Sequence, residues 1–132
     1  MENKEIAPGK KCVLIVDDNL ELAQTFKQLL EAHDYEATVV PDSFLALKHI
    51  LHQQVDAVVC DLKMPQLAGD MFYATIDGVK PDLRRRFVFI TGEADDPKFQ
   101  TFVGKVEAPV LRKPVPIAQL LDALESVLEQ EL

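Results

Sequence analysis

The stretch Lys11-Cys12-Val13-Leu14-Ile15-Val16-Asp17-Asp18-Asn19 decides how the chain folds. Its apolar run has no polar alternation, which is the signature of a strand covered on both faces, and two carboxylates follow at its carboxyl end. Asn19 suits the N-cap of a helix in which Leu22, Phe26, Leu29 and Leu30 share one face. A buried strand feeding an amphipathic helix is the opening of a βαβ unit, and the rest of the chain repeats it.

Tyr35–Val40 reads as the second strand. Asp42 or Ser43 can cap a second helix with Leu47, Ile50 and Leu51 inward, and residues 55–60 form the third strand. Gly69 and Asp70 precede a short third helix through Met71, Phe72 and Ile76 that stops around residues 78–81, before a fourth strand at 87–90. Between Glu93 and Ala108, the residues Pro97 and Gly104 and the sparse apolar positions leave a short or mobile fourth helix. A brief fifth strand at 109–111 leads to a last helix with Pro116 in its first turn and Ile117, Leu120, Leu121, Leu124 and Leu128 facing the core. Val- and Ile-rich strands separated by helices imply an α/β fold, a doubly wound five-stranded parallel sheet. Residues 1–10, charged and aperiodic, read as a flexible leader or linker remnant, and 11–132 as one domain.

Composition narrows the class. A chain of 132 residues with 48% hydrophobic content supports one domain with a full core. The net charge of −8 argues against a nucleic-acid surface, which would need basic groups to neutralise phosphates. No run is long and apolar enough for a membrane span and no signal peptide is apparent, so a cytoplasmic location is expected. Cys12 opens the first strand and Cys60 closes the third. Even on adjacent strands they would stand roughly 13 Å apart, so both are expected as free, buried thiols rather than a disulfide or metal pair.

The strand ends carry the chemistry. Asp17 and Asp18 follow the first strand, Asp61 the third, Thr91 the fourth and Lys113 the fifth. In a parallel sheet these side chains gather at one edge, the carboxyl edge where ligands of open α/β sheets bind. Asp17 and Asp18 alone could be simple helix caps, and Asp61 alone a turn residue. Three carboxylates from two buried strands, however, repel one another unless a hard cation shares the site, and Mg²⁺ with its oxygen ligands suits them. Asp61 is then the candidate nucleophile for an aspartyl phosphate, with Lys113 as a point charge and Thr91 as a hydroxyl donor for phosphoryl oxygens.

Four tags in order, Val-Leu-Ile-Val-Asp17-Asp18-Asn19, Asp61-Leu-Lys-Met64-Pro65 followed by Gly69, Ile90-Thr91-Gly92, and Leu111-Arg112-Lys113-Pro114, closely resemble the receiver domain of two-component response regulators, the CheY-like family. The resemblance implies a flavodoxin-like sheet in order 2-1-3-4-5. It implies that Asp61 accepts a phosphoryl group from the phosphohistidine of a histidine kinase or histidine phosphotransfer domain, switching a downstream partner. It further implies that Asp17, Asp18, Asp61 and the main-chain carbonyl of Lys63 hold Mg²⁺, and that Lys113 and Pro114 are joined by a cis peptide. Such a domain catalyses its own phosphorylation and dephosphorylation without being a conventional enzyme. The Thr-Gly-Glu start at Thr91 and the Pro-Val-Leu-Arg-Lys-Pro end are similar to receivers attached to hybrid histidine kinases. No output domain is expected after the last helix.

One position departs from the family. Three residues before the lysine, where receivers usually carry Tyr or Phe, stands Val110, so the family's aromatic output switch is not expected here. Lys63 and Glu93, each two residues past a site residue, read either as a pair across the pocket mouth that impedes attacking water or as two solvated side chains. Arg84, Arg85 and Arg86 read as a solvated rim, His49 and His52 as helix-surface residues, and His33 as favouring a helix carboxyl terminus. Two further readings are a docking module that works without phosphorylation and a Mg²⁺-dependent aspartyl-phosphate phosphatase. The latter resembles an Asp-x-Asp pattern whose second acid is here Lys63. A flavin carrier would need a phosphate loop richer in Ser, Thr and Gly than Asp17-Asp18-Asn19-Leu20-Glu21.

Overall fold

The computed structural model describes residues 9–64, 67–92 and 97–129. Its elements are β1 (Lys11–Val16), α1 (Leu20–Glu31), β2 (Tyr35–Val40), α2 (Ser43–His52), β3 (Ala57–Asp61), α3 (Gly69–Val79), a 3-10 segment (Pro81–Arg86), β4 (Phe87–Thr91), α4 (Pro97–Lys105), β5 (Val110–Arg112) and α5 (Ile117–Leu128). The five strands form one parallel sheet in order β2-β1-β3-β4-β5. This is the expected topology, with the strand order stepping outward in both directions from β1 and β3.

Alternate strand residues supply two cores. Val13, Ile15, Val59, Val88 and Ile90 pack with Phe26 and Leu30 of α1 and Leu120 and Leu124 of α5. On the other face Leu14, Val58, Phe87 and Phe89 pack with Ile50 of α2, Phe72 and Ile76 of α3 and Phe99 of α4. Both faces being covered explains why the strands read as unbroken apolar runs rather than alternating ones. Val16 aligns with Cys60, so Cys12 lies four positions further down β1, and both cysteines are free and buried as expected.

Several expectations change in detail. Leu51 is half exposed rather than inward, because Ile50 occupies the core-facing position beside it. The ladder of β3 begins at Ala57, two residues later than expected, and extends through Asp61. Asp56, just before it, instead ties β1 with its side chain and main chain: Cys12 N donates to its carboxylate at 2.7 Å and Asp56 N to the Cys12 carbonyl at 2.8 Å. β5 runs over Val110–Arg112, one residue late, although the Pro109 carbonyl still accepts from Phe89 N. α3 has 11 residues and starts at Gly69 itself, and the fourth helix is a nine-residue segment anchored by buried Phe99. Asp42, not Ser43, caps α2, accepting from Leu45 N at 2.9 Å. Arg84 and Arg85 are exposed in the 3-10 segment, and His33 Nδ1 bonds the Leu29 carbonyl at the end of α1.

Candidate functional site

The carboxyl ends of β1, β3, β4 and β5 meet as the strand pattern requires. Asp17 extends β1, its N–H donating to the Val40 carbonyl at 3.1 Å, and its Oδ1 accepts from Asn19 N at 2.9 Å. Asn19 in turn caps α1 by accepting from Leu22 N at 3.2 Å. Three consecutive residues thus divide the work of ending a strand, offering a carboxylate and starting a helix, with Asp17 buried and Asp18 exposed between them.

Asp61 is the last residue of β3 and is 5% exposed. Its Oδ1 accepts from Lys63 N at 3.1 Å, which pins the carboxylate against the turn that follows. That turn is closed from two sides, by Leu62 N on the Ile90 carbonyl at 3.0 Å and by Gly69 N on the Leu62 carbonyl at 2.8 Å. Gly69 is required by close approach: a Cβ there would stand 2.9 Å from both the Asp61 carbonyl oxygen and the Leu62 Cα. Sequence reading found Gly69 as part of a tag but not this contact, which joins residues eight apart. It also missed that Ser43 donates its hydroxyl to the Leu67 carbonyl, tying the start of α2 to the loop after the site.

Thr91, the last residue of β4, is fully buried, and its carbonyl accepts from Lys113 N at 2.9 Å. The peptide between Lys113 and Pro114 is cis, as the resemblance implied. The Lys113 ammonium lies 2.9 Å from Asp61 Oδ2 and 3.7 Å from Asp17 Oδ2. Asp17, Asp18 and Asp61 each present a carboxylate oxygen within 4.8 Å of the others. All five side chains named from the sequence are therefore brought to one edge. Lys63 is exposed beside them, whereas Glu93, its candidate partner, lies outside the described residues, as does Pro65.

The electrostatics follow from burial and crowding. Burial raises the Asp17 carboxyl above its ordinary value; the Asn19 N–H opposes this, the Asp61 charge adds to it, Lys113 offsets it, and Asp18 adds a little more. Burial works to lower the Lys113 ammonium, but the hydrogen bond to Asp61 and the charges of Asp61, Asp17 and Asp18 more than reverse it, so the group is held charged. Cys60 is pushed well above its ordinary value by burial, then by Asp61 and Asp17. Among the described residues, one ammonium thus faces three carboxylates. An all-oxygen donor set with surplus negative charge fits a hard divalent cation such as Mg²⁺.

Comparison with known proteins gives the family and agrees with the fold. The profile of the response regulator receiver domain matches residues 13–125. Sensor kinase CckA of Brucella abortus is 26% identical over 125 residues, covering 93% of this chain and 13% of that protein. Transcription factor SKN7 of Candida albicans is 28% identical, covering 77% and 18%. The transcriptional regulatory protein GlrR of Escherichia coli is 27% identical, covering 89% and 26%. The chain thus spans about a quarter or less of the length of these curated relatives. A response regulator receiver domain protein (CheY-like) from Methanospirillum hungatei JF-1 superposes with a TM-score of 0.82 at 24% identity, covering 92% of this chain and 95% of that one, a likeness of fold. The signal receiver domain of an HD domain-containing protein from Pseudomonas fluorescens does so with a TM-score of 0.82 at 27% identity, covering 91% and 95%. With a profile match over residues 13–125, most of its length, and a sheet in the order 2-1-3-4-5, the chain belongs to the response regulator receiver domains of two-component signalling.

Proposed function

We propose that the chain is a phosphoaccepting receiver in which Asp61 takes a phosphoryl group from the phosphohistidine of a histidine kinase or histidine phosphotransfer domain. The observation that carries this reading is the Asp61 carboxylate, buried yet shared between the Lys63 N–H at 3.1 Å and the Lys113 ammonium at 2.9 Å, with two further carboxylates beside it. In the transfer, an Asp61 oxygen forms a bond to phosphorus as the bond from phosphorus to the donor imidazole nitrogen breaks; the departing ring takes one proton from solvent on its other nitrogen, leaving an acyl phosphate and a neutral histidine.

Asp17, Asp18, Asp61 and the main-chain carbonyl of Lys63 would hold Mg²⁺. When bound, the ion supplies positive charge that offsets the crowded carboxylates and the charge of the transferring group. Lys113 pairs with one phosphoryl oxygen and the Thr91 hydroxyl donates to another. Because Lys113 bonds Asp61 before transfer and an oxygen of the product after it, phosphorylation redistributes the contacts at the ends of β3, β4 and β5. That redistribution is the basis for a changed affinity toward a downstream partner. The sensor kinase CckA among its relatives makes a kinase partner a natural donor.

Incubation with acetyl phosphate and Mg²⁺ followed by intact-mass measurement tests the reading. One phosphate on the parent protein and none on Asp61→Asn is the expected result. Equal incorporation by Asp61→Asn, or none by the parent with Mg²⁺ present, would refute it, and the second result would favour a phosphorylation-independent docking role.

A further inference from the structure

At the opposite edge of the sheet from Asp61 lies a cleft of about 980 Å³, bounded by the ends of α3, α4 and α5, the 3-10 segment and the loop into β5. It is separated from the phosphoacceptor by the length of β4, about 13 Å at the usual strand rise. Nothing in the proposed transfer uses it. Its size falls at the upper end of the range, about 300–1,000 Å³, in which proteins bind small molecules.

The lining has an uneven chemistry. Arg84, Arg85 and Lys105 bring three cations to one opening of a chain whose net charge is −8. Tyr73 and Phe102 supply half-buried aromatic rings whose positions are fixed: the Tyr73 ring stands edge-on to Phe87 at 5.1 Å and to Phe102 at 5.8 Å. Asp77 and Glu107 add acceptors to the lining. The Tyr73 hydroxyl is raised above its ordinary value by burial, and the charges of Asp77, Arg84 and Glu107 all act on it, so the phenol and these ionic groups share one space. Arg84 leans on Asp77 at 3.5 Å, both side chains well exposed, a contact weak enough for an arriving anion to replace.

A cleft with cations alone would suit any anion; this one also carries two acceptors and two aromatic rings, which an acidic peptide would leave unused. Cations, carboxylate acceptors and fixed aromatic rings together match a ligand that presents phosphate, hydroxyl or amino donors and a flat ring. We propose that this cleft binds a nucleoside phosphate, with Arg84, Arg85 and Lys105 on the phosphate, Tyr73 and Phe102 against the ring, and Asp77 and Glu107 accepting from its donors.

The test is an amide NMR titration of the full chain with guanosine monophosphate, with guanosine and inorganic phosphate as separate arms. The expected result is saturable shifts at Tyr73, Phe102, Lys105 and Ser126 with a Kd of about 1 mM or tighter, and at least about tenfold weaker binding of each fragment. Arg85→Ala combined with Lys105→Ala should weaken the nucleotide by about tenfold or more while leaving acetyl-phosphate labelling of Asp61 unchanged, which shows that the variant is folded. The proposal is overturned by shifts confined to the Asp61 pocket or by no saturation at the cleft. Inorganic phosphate binding as tightly as the nucleotide would equally overturn it, as would a double variant that binds as the parent does.

Discussion

Gly69→Ala is the substitution on which the geometry of the site makes its sharpest demand. Gly69 is the first residue of α3, and elsewhere in a helix replacing glycine with alanine gains up to about 1 kcal/mol from reduced unfolded-state entropy. Here the new Cβ would stand 2.9 Å from the Asp61 carbonyl oxygen, 2.9 Å from the Leu62 Cα and 3.2 Å from the Leu62 Cδ2. Two of those three atoms are backbone and cannot swing aside. The Leu62 side chain is fully buried in the core beneath, so it gives way only by disturbing that packing. Inserting a methyl into a packed core costs about 1–3 kcal/mol, which outweighs the helical gain.

The expected net loss is therefore about 1–2 kcal/mol, and with a urea m-value of about 2 kcal/mol/M the midpoint should fall by roughly 0.5–1 M. The displacement also has a functional direction. Relief of the clash moves the Asp61–Leu62 peptide away from α3, carrying the carboxylate off its 3.1 Å bond to Lys63 N and its 2.9 Å bond to Lys113. Labelling by acetyl phosphate should slow by at least about tenfold, since small misplacements of a reacting group are costly. A variant as stable as the parent, or more so, would show that the loop yields without penalty, and the packing argument at this position would be wrong.

The same structure sets three smaller expectations. Asp42→Ala removes the acceptor for Leu45 N at the start of α2 and should cost about 1 kcal/mol in urea unfolding; a change near zero would mean that water replaces the cap in full. Cys12 and Cys60 are buried, and the Cys60 thiol is held protonated well past its ordinary range, so neither should react with iodoacetamide in the native protein and both should react in urea; rapid native labelling counts against this. Lys113→Ala removes the ammonium that faces Asp61 and Asp17, so Mg²⁺ should bind several-fold more tightly and raise the melting temperature more at a given concentration, even as labelling by acetyl phosphate is lost; weaker Mg²⁺ binding in this variant would refute the charge argument.

Much of this was legible in the sequence because two simple periodicities generate it. Runs such as Val13 to Val16 and Phe87 to Ile90 have no polar interruption, and only strands covered on both faces tolerate that, so parallel topology followed from composition. Topology then fixed the site, since residues that end parallel strands share an edge whatever lies between them. Boundaries were less legible because they depend on contacts distant in sequence. β3 starts at Ala57 because Asp56 is engaged with Cys12, and nothing within residues 55–60 announces a partner 44 positions earlier. Leu51 misled for a related reason: helical spacing permits it on the inner face, but Ile50 already fills the place against β1 and β3, and a neighbour on a helix cannot share it.

The site itself contains the one feature that neither periodicity nor topology could supply, which is how its charges are balanced. Sequence places three carboxylates and one lysine at an edge and leaves their pairing open. In the folded chain the lysine leans most closely on Asp61, at 2.9 Å, and less on Asp17, at 3.7 Å, while Asp18 stays at the surface. The ammonium that steadies the Asp61 carboxylate is thus the same group proposed to receive the phosphoryl oxygen. A pocket arranged in this way does not need to recruit a new cation side chain on phosphorylation. On the proposed transfer Lys113 would exchange one anionic partner for another, an exchange made between the ends of β5 and β3, two strands joined in the sheet through β4. Val110 gives β5 no aromatic ring to swing, so on the proposed transfer the signal would leave Asp61 through its Lys113 contact and the strand that precedes that lysine.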